Sequence, residues 1–202
     1  MVNRRIGKEN SETRFALLDA AEQLMREEGY AEVTSRKLAR HAELKPQLVH
    51  YYFRTMDELF EALFKRVADR HLTALVAIAE DDNALVRMFE LSCDTAGSAL
   101  HLEFLALANH RKAIRAAIAD FANDLSRIEA QIIREAMQRE GIETPGVTPE
   151  ELSTIIETVA RGLAFGSQIN PERSRNAQRV ISFWLDRFGI TYRRLSEITA
   201  SA

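Results

Sequence analysis

The stretch VTSRKLARHAELKPQLVHYYFR, residues 33–54, decides how the rest of this chain is read. Thr34 or Ser35 can cap a short helix running to about His41. Ala42-Glu43-Leu44 forms a turn, and Pro46 suits the first turn of a following helix, where a missing N–H costs little. That helix runs to about Tyr52. Two short helices joined by a tight turn are the parts of a helix-turn-helix. Ala39 is small where the two must cross, and Leu38, Leu44 and Val49 supply a small core between them. Lys45, Gln47, Leu48 and Tyr51 are left near the outer face, on a helix whose N-terminal end can enter the major groove of double-stranded DNA. Lys45 can donate to guanine or phosphate, Gln47 can pair bidentately with adenine, Leu48 can touch a thymine methyl, and Tyr51 can reach phosphate or a base.

Outward from that stretch the pattern stays helical. Between Thr13 and Glu28, Leu17, Leu18, Ala21, Leu24 and Met25 fall on one helical arc, and Gly29 stops it. Thr55-Met56-Asp57-Glu58 reads as a capping box opening a long helix that ends near Asp81-Asp82-Asn83. Further helices are expected over about 84–93, 97–109, 111–140, 148–169 and 174–189. Thr148-Pro149-Glu150-Glu151 combines a cap, a proline at the first helical position and a second capping box.

The 202 residues are 46% hydrophobic and 28% charged, which is a globular balance rather than a disordered or fibrous one. Four Pro and eight Gly are too few for a sheet-rich fold with many tight turns. The single Cys93 excludes an intramolecular disulfide and argues against a cysteine metal cluster. No apolar run is long enough to span a bilayer, and the N-terminal Met1–Lys8 lacks the apolar stretch of a signal peptide, so no membrane partner and a cytoplasmic setting are expected. The net charge of −3 conceals an asymmetry. Residues 1–8 carry Arg4, Arg5 and Lys8 with no acid, and residues 33–54 carry Arg36, Lys37, Arg40, Lys45 and Arg54 against Glu43 alone. Residues 67–202 carry 15 bases against 19 acids. A local cationic patch matters more for phosphate contact than the global sum.

The ordered run Val33–Ala39, Leu48–Phe53 and Asp57–Phe60, preceded by a helix ending in Gly29-Tyr30, resembles the N-terminal domain of the TetR family of bacterial transcriptional regulators. The detailed likeness covers roughly residues 13–64. It implies an all-α fold with a three-helix DNA-binding head, residues 1–56 with an arm at 1–12. A helical body, residues 57–202, would sense a ligand and dimerise through its last two helices. By the same resemblance, Thr34, Ser35 and Arg36 hold phosphate, and His50 stands where a phosphate-contacting tyrosine is usual. Arg4 and Arg5 resemble a basic arm for the minor groove. Two positions depart from the family pattern: Glu43 replaces a common turn glycine, and Met56 replaces a common lysine, for which Arg54 can substitute.

In the body, Met88, Phe89, Phe104, Asn109, His110, Phe121 and Phe165 are the candidate lining of a largely apolar effector pocket. Gly162 and Gly166 lie inside a predicted helix, where each costs roughly 1 kcal/mol relative to Ala and is best explained by close approach of another helix. With Ala160 and Ala164 they suggest a small-residue face. Val180, Ile181, Trp184, Leu185 and Phe188 form a broad stripe on the last helix. The two helices are expected to build a four-helix homodimer interface through Gly162, Gly166, Val180, Ile181, Trp184 and Phe188. No Gly-rich phosphate loop, nucleophile elbow or zinc-protease motif appears, so no enzyme activity, cofactor or metal is expected. The function implied is a ligand-responsive regulator, a homodimeric repressor released from a near-palindromic operator. The alternative is a helical ligand-binding or adaptor protein with a vestigial head.

Overall fold

A computed structural model describes residues 11–81, 83–141 and 146–200, without the side chains of 95, 96, 98, 140, 186 and 188–200. Nine α-helices and no strand occur among the described residues. They are α1 (Glu12–Glu28), α2 (Ser35–His41), α3 (Pro46–Tyr52), α4 (Met56–Ile78), α5 (Ala84–Ser92), α6 (Thr95–Ala108), α7 (Lys112–Glu140), α8 (Pro149–Ile169) and α9 (Pro171–Ala200). The all-helical expectation holds. The expected elements are present, and a short 3-10 turn, Tyr30–Glu32, is added between α1 and α2.

The described residues form two compact units, one within 1–69 and 99–120 and the other within 70–98 and 121–202. In the first, α1 begins where the Ser11 side chain accepts from the Arg14 amide at 3.2 Å. It buries Leu17, Leu18, Ala21, Leu24 and Met25, the arc expected from the sequence. Gly29 ends α1 at φ +85°, a conformation that side chains resist, and its amide donates to the Met25 carbonyl. Beyond the head, Glu58 N donates to Thr55 Oγ1 at 3.1 Å. The Glu58 carboxylate accepts from the Arg54 amide at 2.8 Å, one residue earlier than a reciprocal capping box requires. Leu59, Phe60, Leu63 and Phe64 are buried, and the Phe64 ring meets Phe104 of α6 edge-on with centroids 5.1 Å apart.

In the second unit one cluster gathers Leu75, Ala84, Met88, Leu125, Ile132 and Ile133 from α4, α5 and α7. Another gathers Phe89, Cys93 and Ala160, with Ile181 and Leu185 of α9 packed against it. α4 stops at Ile78, short of the expected 81–83, and the Arg139 guanidinium donates to the Ala79 and Asp81 carbonyls just past its end. That is the cationic capping a helix C-terminus favours. The capping box at Thr148 and Glu151 is complete in both directions. Asn170 ends α8, and its side chain accepts from the Arg173 amide to start α9. α9 runs on to Ala200, well past the expected 189.

Candidate nucleic-acid interface

The site is built by the junction of α2 and α3. Thr34 caps α2 by accepting from the Lys37 amide at 3.4 Å. α2 ends in a Schellman closure: Leu44 N donates to Ala39 O at 2.8 Å, and Glu43 N to Arg40 O at 3.2 Å. The residue held left-handed in that closure is Glu43, at φ 55°. This is the position where the family resemblance implies a glycine and the chain carries glutamate, and it costs roughly 1–2 kcal/mol of backbone strain. Pro46 takes the first position of α3 as expected.

Leu38, Ala39 and Val49 are buried between the helices, while Leu44, expected beside them, is only half-buried. Leu48, expected on the outer face, is half-buried too and contributes to packing as well as to the surface. Lys45, Gln47, His50, Tyr51 and Arg54 are exposed, as are Thr34 and Arg36; Ser35 is half-buried. Tyr51 is 43% exposed and braced edge-on against Tyr52, with centroids 5.0 Å apart. One face of α3 therefore presents a lysine, an amide, an imidazole and a phenol to solvent, hydrogen-bonding groups suited to base edges and phosphates. Arg4 and Arg5 lie outside the described residues.

The cationic patch is smaller than the sequence sum. Lys37 is bound by Glu28 and by Glu32, the latter at 2.8 Å. Hydrogen bonding to Glu28 first, then to Glu32, raises the Lys37 pKa above its ordinary value, and Lys37 lowers that of Glu32. The 3-10 turn at Tyr30–Glu32 brings these acids to Lys37, which linear spacing does not disclose.

The expected effector residues are scattered. Asn109, His110 and Phe104 belong to the first unit; Phe104 is buried, and Asn109 and His110 are exposed. In the second unit Met88 lies in one core cluster with Phe121 packed against it, Phe89 lies in the other, and Phe165 is 56% exposed. A groove of about 810 Å³ in this unit is lined by Val76, Ala79, Asn123, Arg127, Gln131 and Arg134 among others, and by none of the expected effector residues. The reading of the sequence also missed Glu129. It is fully buried on α7, accepting from Ser153 Oγ at 2.8 Å and Ser92 Oγ at 3.5 Å, and burial pushes its carboxyl up to about 7. Its position four residues after Leu125 on the apolar arc was the available signal. Cys93 is buried, and burial pushes its thiol up to about 12, so it is not a reactive thiolate. No cluster of His, Cys, Asp and Glu able to hold a metal occurs among the described residues.

The expected dimer residues divide. Val180 and Trp184 are exposed, Ile181 packs on the core, and the Phe188 side chain lies outside the described residues. Gly166 serves an intrachain approach, since a Cβ there would stand 2.9 Å from Ser174 Oγ. A Cβ at Gly162 would meet nothing. Ala160 and Ala164 are buried, so the small residues of α8 do not share one face.

These features define an all-helical protein with a helix-turn-helix DNA-binding head. The family model described as bacterial regulatory proteins, tetR family, matches residues 17–63. That head belongs to the tetR family, and the chain as a whole carries the family's fold. A structure described as a TetR-family transcriptional regulator from Rhodococcus sp. is 19% identical, covering 89% of this chain and 100% of that one, with a TM-score of 0.74. A TetR transcription regulator from Haloarcula marismortui is 19% identical, covering 87% and 97%, with a TM-score of 0.72. E. coli NemR in its reduced form is 16% identical, covering 84% and 96%, also with a TM-score of 0.72. At these identities the likeness establishes the fold. No curated protein sequence matches the chain.

Proposed function

We propose that this protein is a homodimeric transcriptional repressor that leaves a near-palindromic operator when a small, largely apolar effector binds. Residues 1–56 would form the DNA-binding domain and 57–202 the effector and dimer domain, in the cytoplasm and without enzyme activity. The observation that carries the reading is the exposed face of α3, with Lys45, Gln47, His50 and Tyr51, on a head matched by the family model. Lys45, Gln47, Leu48 and Tyr51 read bases; Thr34, Ser35, Arg36, His50 and Arg54 hold phosphates, with Arg4 and Arg5 as the arm. Dimerisation is supported by apolar side chains left on the surface of α8 and α9: Ile155, Val159, Phe165 and Ile169, then Val180, Phe183 and Trp184. No described helix is long and apolar enough to cross a membrane.

The test is a selection of genomic fragments by the purified chain, followed by footprinting and light scattering. The reading expects a protected site with two half-sites one or more helical turns apart, bound by a dimer. A chain that binds all duplexes alike, or that stays monomeric at micromolar concentration, refutes it. The effector reading expects an apolar or aromatic compound to raise the melting temperature and release the DNA; no stabilisation across a broad panel of such compounds counts against it.

A further inference from the structure

The helix-turn-helix is held at both of its ends by side chains from one later stretch of the first unit. At its entry, Glu103 of α6 places Oε2 2.7 Å from the Tyr30 amide, 73 residues away in sequence. That amide opens the 3-10 turn leading into α2, and no neighbouring side chain caps it. Gly29 leaves the carboxylate room, because a Cβ there would crowd the same oxygen at 3.3 Å. At the exit, Asp57 in the first turn of α4 is ion-paired with Arg111, just beyond α6. The Arg111 guanidinium also lies over the Phe60 ring, 5.6 Å from its centroid. Between the two polar contacts, Phe104 packs on Phe64.

We propose that Glu103 and Arg111 are positioning residues for DNA recognition: a two-point grip that sets the attitude of α2 and α3 by holding the chain where it enters and leaves them. The proposal rests on the regulator reading above. Neither residue needs to touch DNA. The backbone at Tyr30 and the first turn of α4 are where the chain enters and leaves α2 and α3, so the attitude of that helix pair depends on both. A charge-assisted contact to each removes that freedom before DNA arrives, so the specific complex does not bear the ordering cost. Nonspecific binding, which depends on phosphate charge rather than on register, gains little from such preorganisation.

The experiment uses the full chain as wild type, Glu103→Ala, Glu103→Gln, Arg111→Ala and Arg111→Lys. Amide hydrogen exchange is followed across residues 29–40, and affinity is measured for a fragment selected by the wild type and for a scrambled duplex. Glu103→Ala is expected to speed exchange at Tyr30 and its neighbours. It should weaken the selected fragment by about tenfold, the order of one hydrogen bond to an ionised group, with the scrambled duplex little changed. Glu103→Gln keeps an acceptor oxygen and Arg111→Lys keeps the charge, and both should recover much of the loss. Unchanged exchange in Glu103→Ala overturns the grip whatever DNA does. Equal loss on both duplexes overturns the positioning role. A wild-type chain that selects no fragment defeats the regulator reading, whereas normal selection with unaltered affinity in both alanine variants defeats this proposal alone.

Discussion

Replacing Glu129 by Gln should make the protein more stable at neutral and alkaline pH and remove a pH dependence. Glu129 is fully buried on α7 with Ser153 and Ser92 hydroxyls as donors. Burial raises its pKa from 4.5 to about 7, with Glu157 adding to the rise, while the Ser153 and Ser92 hydrogen bonds and Arg161 work against it. The folded protein therefore holds this proton more tightly than the unfolded chain. The stabilisation is complete below the unfolded value of 4.5 and is lost as the pH rises through about 7. Converting the shift at 1.36 kcal/mol per unit gives a loss on the order of 3 kcal/mol. Glutamine has the shape of the neutral acid and does not ionise, so the variant keeps what the wild type loses. His71 acts in the opposite sense: burial lowers its pKa, so its contribution is present above 6.5 and is lost as the pH falls. His71 is common to both proteins and cancels in their difference. Urea unfolding at fixed protein concentration, between about pH 5 and pH 8, measures that difference. It should be small at the acid end and favour the variant by up to about 3 kcal/mol at the alkaline end. A difference that does not change with pH, or one that turns against the variant as pH rises, would refute the reasoning.

Glu43→Gly relieves a left-handed backbone at a cost in unfolded-chain entropy, and the balance should stabilise the head by about 0.5–1 kcal/mol; denaturant midpoints check it, and tighter DNA binding at low salt should accompany the lost carboxylate. Gln47→Ala should relax base preference at one operator position, costing about 1–3 kcal/mol there, whereas Arg36→Ala should weaken all duplexes and flatten the salt slope. Equal effects of both on every duplex would contradict the assigned roles. Trp184 is 66% exposed, and Trp184→Glu should shift the proposed dimer toward monomer by about 2 kcal/mol or more, read by sedimentation as a function of concentration; an unchanged association constant would remove it from the proposed interface.

The head was legible because its signals are local. Thr34, Pro46 and Gly29 act through their own backbone geometry, and Leu17 to Met25 declare their shared face by spacing alone. The family resemblance also marked position 43 as a usual glycine, and Glu43 is indeed held left-handed there. The body was less legible for a reason visible at α8. Gly162, Gly166, Ala160 and Ala164 are all small, but helix rotation turns the alanines inward, sets Gly166 against Ser174 and leaves Gly162 open. Composition could not separate those three environments. Spacing also could not say whether Met88, Phe89 and Phe121 line a pocket or fill a core, because both demand apolar residues at the same period.

By itself the sequence determined the all-helical class, the helix boundaries to within a few residues except at the C-terminal end of α9, and the outward chemistry of α3, because capping, periodicity and proline placement act within a turn or two of the chain. Tertiary structure alone decided that Lys37 spends its charge on Glu28 and Glu32, that Glu129 is buried beside two serines where its carboxyl is pushed up, and that Glu103 reaches back to Tyr30. Each of those depends on which charges and dipoles meet after distant segments pack. Burial then sets how strongly they act, and no pattern of neighbours along the chain encodes it.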